Sequence, residues 1–127
     1  MNLPRVRLTA GEETLDVYVA ANPQDRSLGL MHRRAMAPDE GMLFVEDEAA
    51  RQNFWMKDTL LPLSIAFLDE DGTITQIEDM APESLDAHRS EQAVRYILEV
   101  HQGWFARKGI RAGMRLAGPV FLVAAGR

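Results

Sequence analysis

The chain has 127 residues, 46% hydrophobic and 26% charged, with a formal net charge of −5 and no cysteine. That length suits a single domain that buries about two-thirds of its unfolded surface. The acidic balance argues against nucleic acid or an anionic membrane as partner. The missing thiols exclude disulfides, thiolate catalysis and zinc–thiolate sites.

No apolar run approaches the roughly 20 residues of a membrane-spanning helix. The N-terminus, MNLPRVRLTAG, has no apolar signal core. The chain as given reads as cytoplasmic, and an exported protein whose leader had been removed would read the same.

In chain order, Arg5 to Thr9 and Thr14 to Ala20 read as two strands joined by the turn Ala10-Gly11-Glu12-Glu13. Asn22 is placed to cap a helix that has Pro23 at its first position and Asp25 in its first turn. Leu28 and Met31 are its expected core contacts, and helical spacing puts Arg26, Leu30 and Arg33 on another face. Met42 to Val45 begins a strand, and Glu46 to Ala50 reads as an acidic loop.

Phe54, Trp55 and Met56 are consecutive large side chains, which predicts a strand buried on both faces with Trp55 in the core. Lys57, Asp58 and Thr59 follow at once. Ile65 to Leu68 and Ile74 to Met80 form the arms of a hairpin turning at Asp71-Gly72. The three-residue spacing of Ile74 and Ile77 calls for a bulge.

Ala81 to Ser90 reads as a surface loop. Val94 to His101 alternates most clearly, with Val94, Tyr96, Leu98 and Val100 opposite Arg95, Ile97, Glu99 and His101. A short helix at Gly103 to Lys108 turns on Trp104 and Phe105, and Val120 to Ala124 reads as a final strand. The expected fold is α+β: a strongly bent, mostly antiparallel sheet or partial β-barrel with two short helices.

The polar trio beside the most apolar stretch is the candidate site. Lys57, Asp58 and Thr59 would form a ligand-binding corner, with Arg26 or Arg33 supplying positive charge and Trp55 a possible stacking surface. Glu99, mid-strand in apolar surroundings, needs a cationic or N–H partner if buried. Arg26 is the expected partner, with Arg33 and Lys57 as the other candidates. Glu99 or Asp58 could instead act as a general base.

No cofactor or metal set is legible. The methionines and histidines have no metal-motif spacing, and neither a nucleophile elbow nor a phosphate loop occurs.

Four phrases resemble one family: RSLGLMHRRAM (Arg26 to Met36), GMLFVE (Gly41 to Glu46), FWMKDTLLPLSIAFLDEDG (Phe54 to Gly72) and RYILEVHQGWFARKGIRAGMRL (Arg95 to Leu116). This is the domain of unknown function 192 family (DUF192), small bacterial and archaeal proteins without an established activity. The resemblance implies an α+β fold with a barrel-like sheet and a helix near Arg26, and it implies no mechanism. The family pattern has Asn where Asp58 stands, Asp at Ser64, a Tyr near His88, Asn at His101 and Asp at Met114.

The reading that follows is a binding or accessory module for a small polar ligand or a peptide. A carboxylate-dependent hydrolase using Asp58 or Glu99 and a purely structural partner domain are the alternatives.

Overall fold

The computed structural model describes residues 2–121. Among the described residues, eight strands and two short helices follow one another as β1 (Arg5–Ala10), β2 (Glu13–Ala20), α1 (Pro23–Leu28), β3 (Glu40–Ala50), β4 (Asn53–Phe54), β5 (Leu63–Leu68), β6 (Ile74–Met80), β7 (His88–Arg89), β8 (Val94–His101) and α2 (Trp104–Arg107), with a further helical turn at 119–121. Six strands make one sheet in the order β1-β2-β3-β8-β5-β6, and β4 and β7 make a separate ribbon. The α+β expectation is met. Every pairing is antiparallel except β2 with β3, which α1 connects as a parallel crossover.

The sheet is bent but does not close into a barrel, because β1 and β6 never pair with each other. The segment 113–117 lies between them instead. Ala117 exchanges backbone hydrogen bonds with Thr9 at 2.9 and 2.8 Å, Leu116 N–H donates to the Gly72 carbonyl at 2.9 Å, and Ile74 N–H donates to Met114. One irregular stretch thus bridges both edges.

Each sheet face carries its own core, as strand alternation requires. Leu15, Val17, Leu43, Ala66, Leu68, Tyr96, Leu98 and Val100 pack with Trp104 and Phe105 of α2. Ala20, Met42, Phe44, Leu63, Ile65, Phe67 and Ile97 form the other cluster with Leu30 and Met56. The β4–β7 ribbon belongs to this second face, where the Phe54 ring meets Phe44 edge-on at 5.0 Å.

The β5–β6 hairpin has its register shift between Phe67 and Leu68, as the Ile74–Ile77 spacing requires. Glu46 to Ala50 continues β3 rather than forming a loop, although its pairing with β8 is interrupted between Val45 and Ala50. The stretch expected as a surface loop includes β7 and the buried Ser90. Val120 and Phe121 are helical, not extended, while Leu122 to Ala124 lie outside the described residues.

Gly41 lies on β3 opposite Val17 of β2 and Val100 of β8. A Cβ there would run into the carbonyl oxygen of Glu99. Because that obstacle is backbone in the middle of a sheet, it has no rotamer to change. Gly41→Ala is therefore expected to cost about 1–3 kcal/mol as an overpacking change, read from the denaturation midpoint. A neutral result would mean that β3 and β8 lie farther apart than described.

Candidate functional site

The parallel crossover lays α1 over the second sheet face. Asn22 is the helix cap, its side-chain oxygen accepting from Asp25 N–H at 2.9 Å, and Pro23 follows in the first turn. The helix is short because Gly29, at φ 52°, ends it. That stop corrects three expectations. Leu28 stays 46% exposed, Leu30 rather than Met31 enters the core, and Arg33 is not on the helix at all. The Arg33 guanidinium instead lies 4.8 Å from the centre of the Tyr18 ring, with Arg5 at 4.4 Å from the same ring.

Phe54, Trp55 and Met56 do not form a strand buried on both faces. They alternate: Phe54 and Met56 turn inward, and Trp55 is 49% exposed. Only Asn53 and Phe54 pair as strand, and the chain then turns. Thr59 N–H closes that turn on the Met56 carbonyl at 3.1 Å, with Asp58 at φ 55°. Asp tolerates this left-handed conformation, as does the Asn of the family pattern, so the exchange at 58 preserves the turn.

The Asp58 carbonyl accepts from His32 N–H at 2.8 Å, and Glu83 N–H donates to the Thr59 carbonyl. The expected polar corner is thus a turn stitched to two neighbouring loops. Lys57 and Asp58 face solvent, the Lys57 ammonium 5.5 Å from the centre of the Trp55 ring, while Thr59 is buried.

Between α1, β3, the 52–55 segment and β8 lies a cleft of about 360 Å³. Of the residues singled out in the sequence, Arg26, Trp55, Thr59 and Glu99 line it, and Arg33, Lys57 and Asp58 do not. The sequence reading missed Phe44, Glu46 and Phe54, which line it too. Glu46 could have been found by counting in twos along GMLFVE, since Met42, Phe44 and Glu46 share one face of a strand.

Glu99 is 4% exposed, on the central strand, between Met42 of β3 and Ile65 of β5. The expected Arg26–Glu99 pair does not form. Arg26 is held instead by the Val45 carbonyl (3.0 Å) and the Glu46 carboxylate (3.4 Å) of β3, and by the Ala21 carbonyl just after β2 (2.9 Å). Glu46 lies nearer the end of the strand that α1 covers, and it takes the cation first.

Among the described residues, no side chain or backbone N–H within hydrogen-bonding distance satisfies the Glu99 carboxyl. No fully buried side-chain oxygen is left unpaired in the described residues either. The Glu99 oxygens therefore reach the open space of the cleft. Burial without a compensating charge pushes the Glu99 carboxyl up to about 8, so it is mostly protonated at neutral pH. In that state it donates a hydrogen bond rather than accepting a proton.

A family model described as "Uncharacterized ACR", DUF192, matches residues 6–118. The chain belongs to the DUF192 family. Two solved structures are similar to this DUF192 chain. One, a Sinorhizobium meliloti 1021 protein named as a candidate transcription regulator, is 42% identical, covers 91% of this chain and 93% of its own, and superposes with a TM-score of 0.85. The other, a protein of unknown function from Novosphingobium aromaticivorans DSM 12444, is 26% identical over 89% of this chain and 83% of its own, with a TM-score of 0.81. Among curated proteins, none matches.

Two outcomes follow from this geometry. Trp55→Ala should lower stability by less than about 1 kcal/mol, whereas Phe44→Ala, which empties a core position, should lower it by about 3–5 kcal/mol. Denaturant midpoints of the two variants compare them directly, and equal losses would return Trp55 to the core.

The second outcome concerns pH. Glu99 holds its proton in the folded state up to about 8 but releases it near 4.5 when unfolded. The folded state then binds more protons, so its contribution to stability is full below about 4.5 and is lost as pH rises toward 8. In mid-window the loss approaches about 1.4 kcal/mol per pH unit. Glu99→Gln should remove that slope, and identical stability–pH curves for the two proteins would show that Glu99 is not held protonated.

Proposed function

We propose that this chain is a binding module whose cleft takes a small polar ligand, with Glu99 as the recognition group at its base. The observation that carries the reading is the unpartnered Glu99 carboxyl, buried in the central strand yet open to the cleft. A carboxyl that meets open space but no protein partner is left for water or a ligand group to satisfy.

Arg26, Trp55 and Thr59 are the further ligand-facing residues in this reading. Arg33, Lys57 and Asp58 hold the turns that shape the cleft. The small volume favours a compact ligand over an added peptide strand. The regulator name of the Sinorhizobium relative fits a ligand-sensing role, while a net charge of −5 gives DNA phosphates little to bind.

The hydrolase reading has less support. Asp58 lies outside the cleft, and Glu99, mostly protonated at neutral pH, would have to release its proton before acting as a base. A purely structural role would place the same residues in internal ion pairs. Arg26 and Glu46 fit that description and Glu99 does not.

A thermal-shift panel of sugars, nucleosides, carboxylic acids and amines is the test. A true ligand at about a hundred times its dissociation constant adds roughly 2.7 kcal/mol of stability. At least one class should raise the melting temperature of the native chain and not that of Glu99→Gln. A flat panel would sink the small-ligand reading.

A further inference from the structure

We infer that the cleft recognises a ligand bearing an aromatic or apolar body and a cationic amine, with the amine seated on the Glu99 carboxylate. This rests on the binding reading above and gives it a ligand class. Two independent features point to a cation.

The first is the charge inventory. The charged side chains lining the cleft are Arg26 from α1, Glu46 from β3 and Glu99 from β8. Arg26 is committed to Glu46 and to two backbone carbonyls. Glu99 remains the uncompensated group. Its neighbours across the ladder, Met42 and Ile65, are apolar, and Thr59 and the 52–55 segment supply no titratable side chain to the cleft. His101, two residues along β8, is bound to the Met36 carbonyl through Nε2 at 2.7 Å. An anionic ligand would meet two carboxyls and an arginine already paired.

The second feature is the wall. Phe44, Phe54 and Trp55 line the same cleft as the Glu99 carboxyl. Ring faces attract cations, and the Lys57 ammonium already lies 5.5 Å from the centre of the Trp55 ring. An aromatic body would stack on these residues while its ammonium reached Glu99. An ammonium can replace the Glu99 proton; a neutral hydroxyl cannot. Seating the cation therefore expels that proton to solvent, and binding is coupled to pH.

The experiment uses three matched probes on the full chain: 2-phenylethylamine, 2-phenylethanol and phenylacetate. Calorimetric titration at neutral pH in two buffers of different ionisation enthalpy reads the protons released. The amine is expected to bind tightest, to release close to one proton, and to gain roughly tenfold in affinity for each pH unit gained below neutrality. Glu99→Gln should lose both the affinity and the slope. The slope is measured on the native chain, so the inference stays testable if that variant folds poorly.

Tighter binding of the alcohol or the acid, or amine binding that is flat with pH, overturns the ligand class and leaves the cleft a binding site. No binding by any of the three overturns the inference. Only a flat thermal-shift panel as well removes the binding reading beneath it.

Discussion

The position of β8 between β3 and β5 is the constraint from which the rest follows. A strand hydrogen-bonded on both sides and covered on both faces has no exit to solvent for any side chain in its middle. Ile97, Leu98 and Val100 meet that condition by being apolar. Glu99 does not, and a carboxyl there has to be paired, protonated or met by something that enters from outside. The fold leaves a cleft over this one residue, so the polar group and the opening above it coincide.

Arg26 shows why pairing was not the outcome. Its guanidinium ties the helix to β3 through the Val45 carbonyl and Glu46, and to the chain just after β2 through the Ala21 carbonyl. It fastens the crossover to the sheet and so keeps one wall of the cleft in place. Had it turned toward Glu99, those carbonyls and Glu46 would have lost their partner, and a buried ion pair carries its own desolvation cost. The arrangement keeps the wall firm and leaves the base of the cleft reactive to what it meets.

Local signals were legible in the sequence and non-local ones were not. The Asn22-Pro23-Asp25 cap, the alternation of Val94 to His101, the bulged hairpin and the Trp104–Phe105 turn all rest on neighbours within a few residues. Each appears as expected. Arg33 was misplaced although Gly29, the residue that stops the helix, was in plain sight.

Trp55 is a different case. Three bulky residues in a row suggested burial on both faces, yet alternation put the largest of them outward, beside the cleft. Which acid Arg26 would choose depended on how α1 lies across β3. That is a matter of tertiary packing, and spacing along the chain does not encode it. The burial of Glu99 was legible; its solitude was not.

The segment 113–117 has a consequence for how the molecule behaves among its copies. An open sheet normally presents two rows of unused N–H and C=O groups, each a template for another chain's strand. Here one stretch takes up groups of Thr9 beside one border and of Gly72 and Ile74 beside the other. A single short segment thus covers one end of each edge strand. Loosening it would uncover the Thr9 end of β1 and the Ile74 end of β6 together, exposing matched backbone groups at both borders to strand addition.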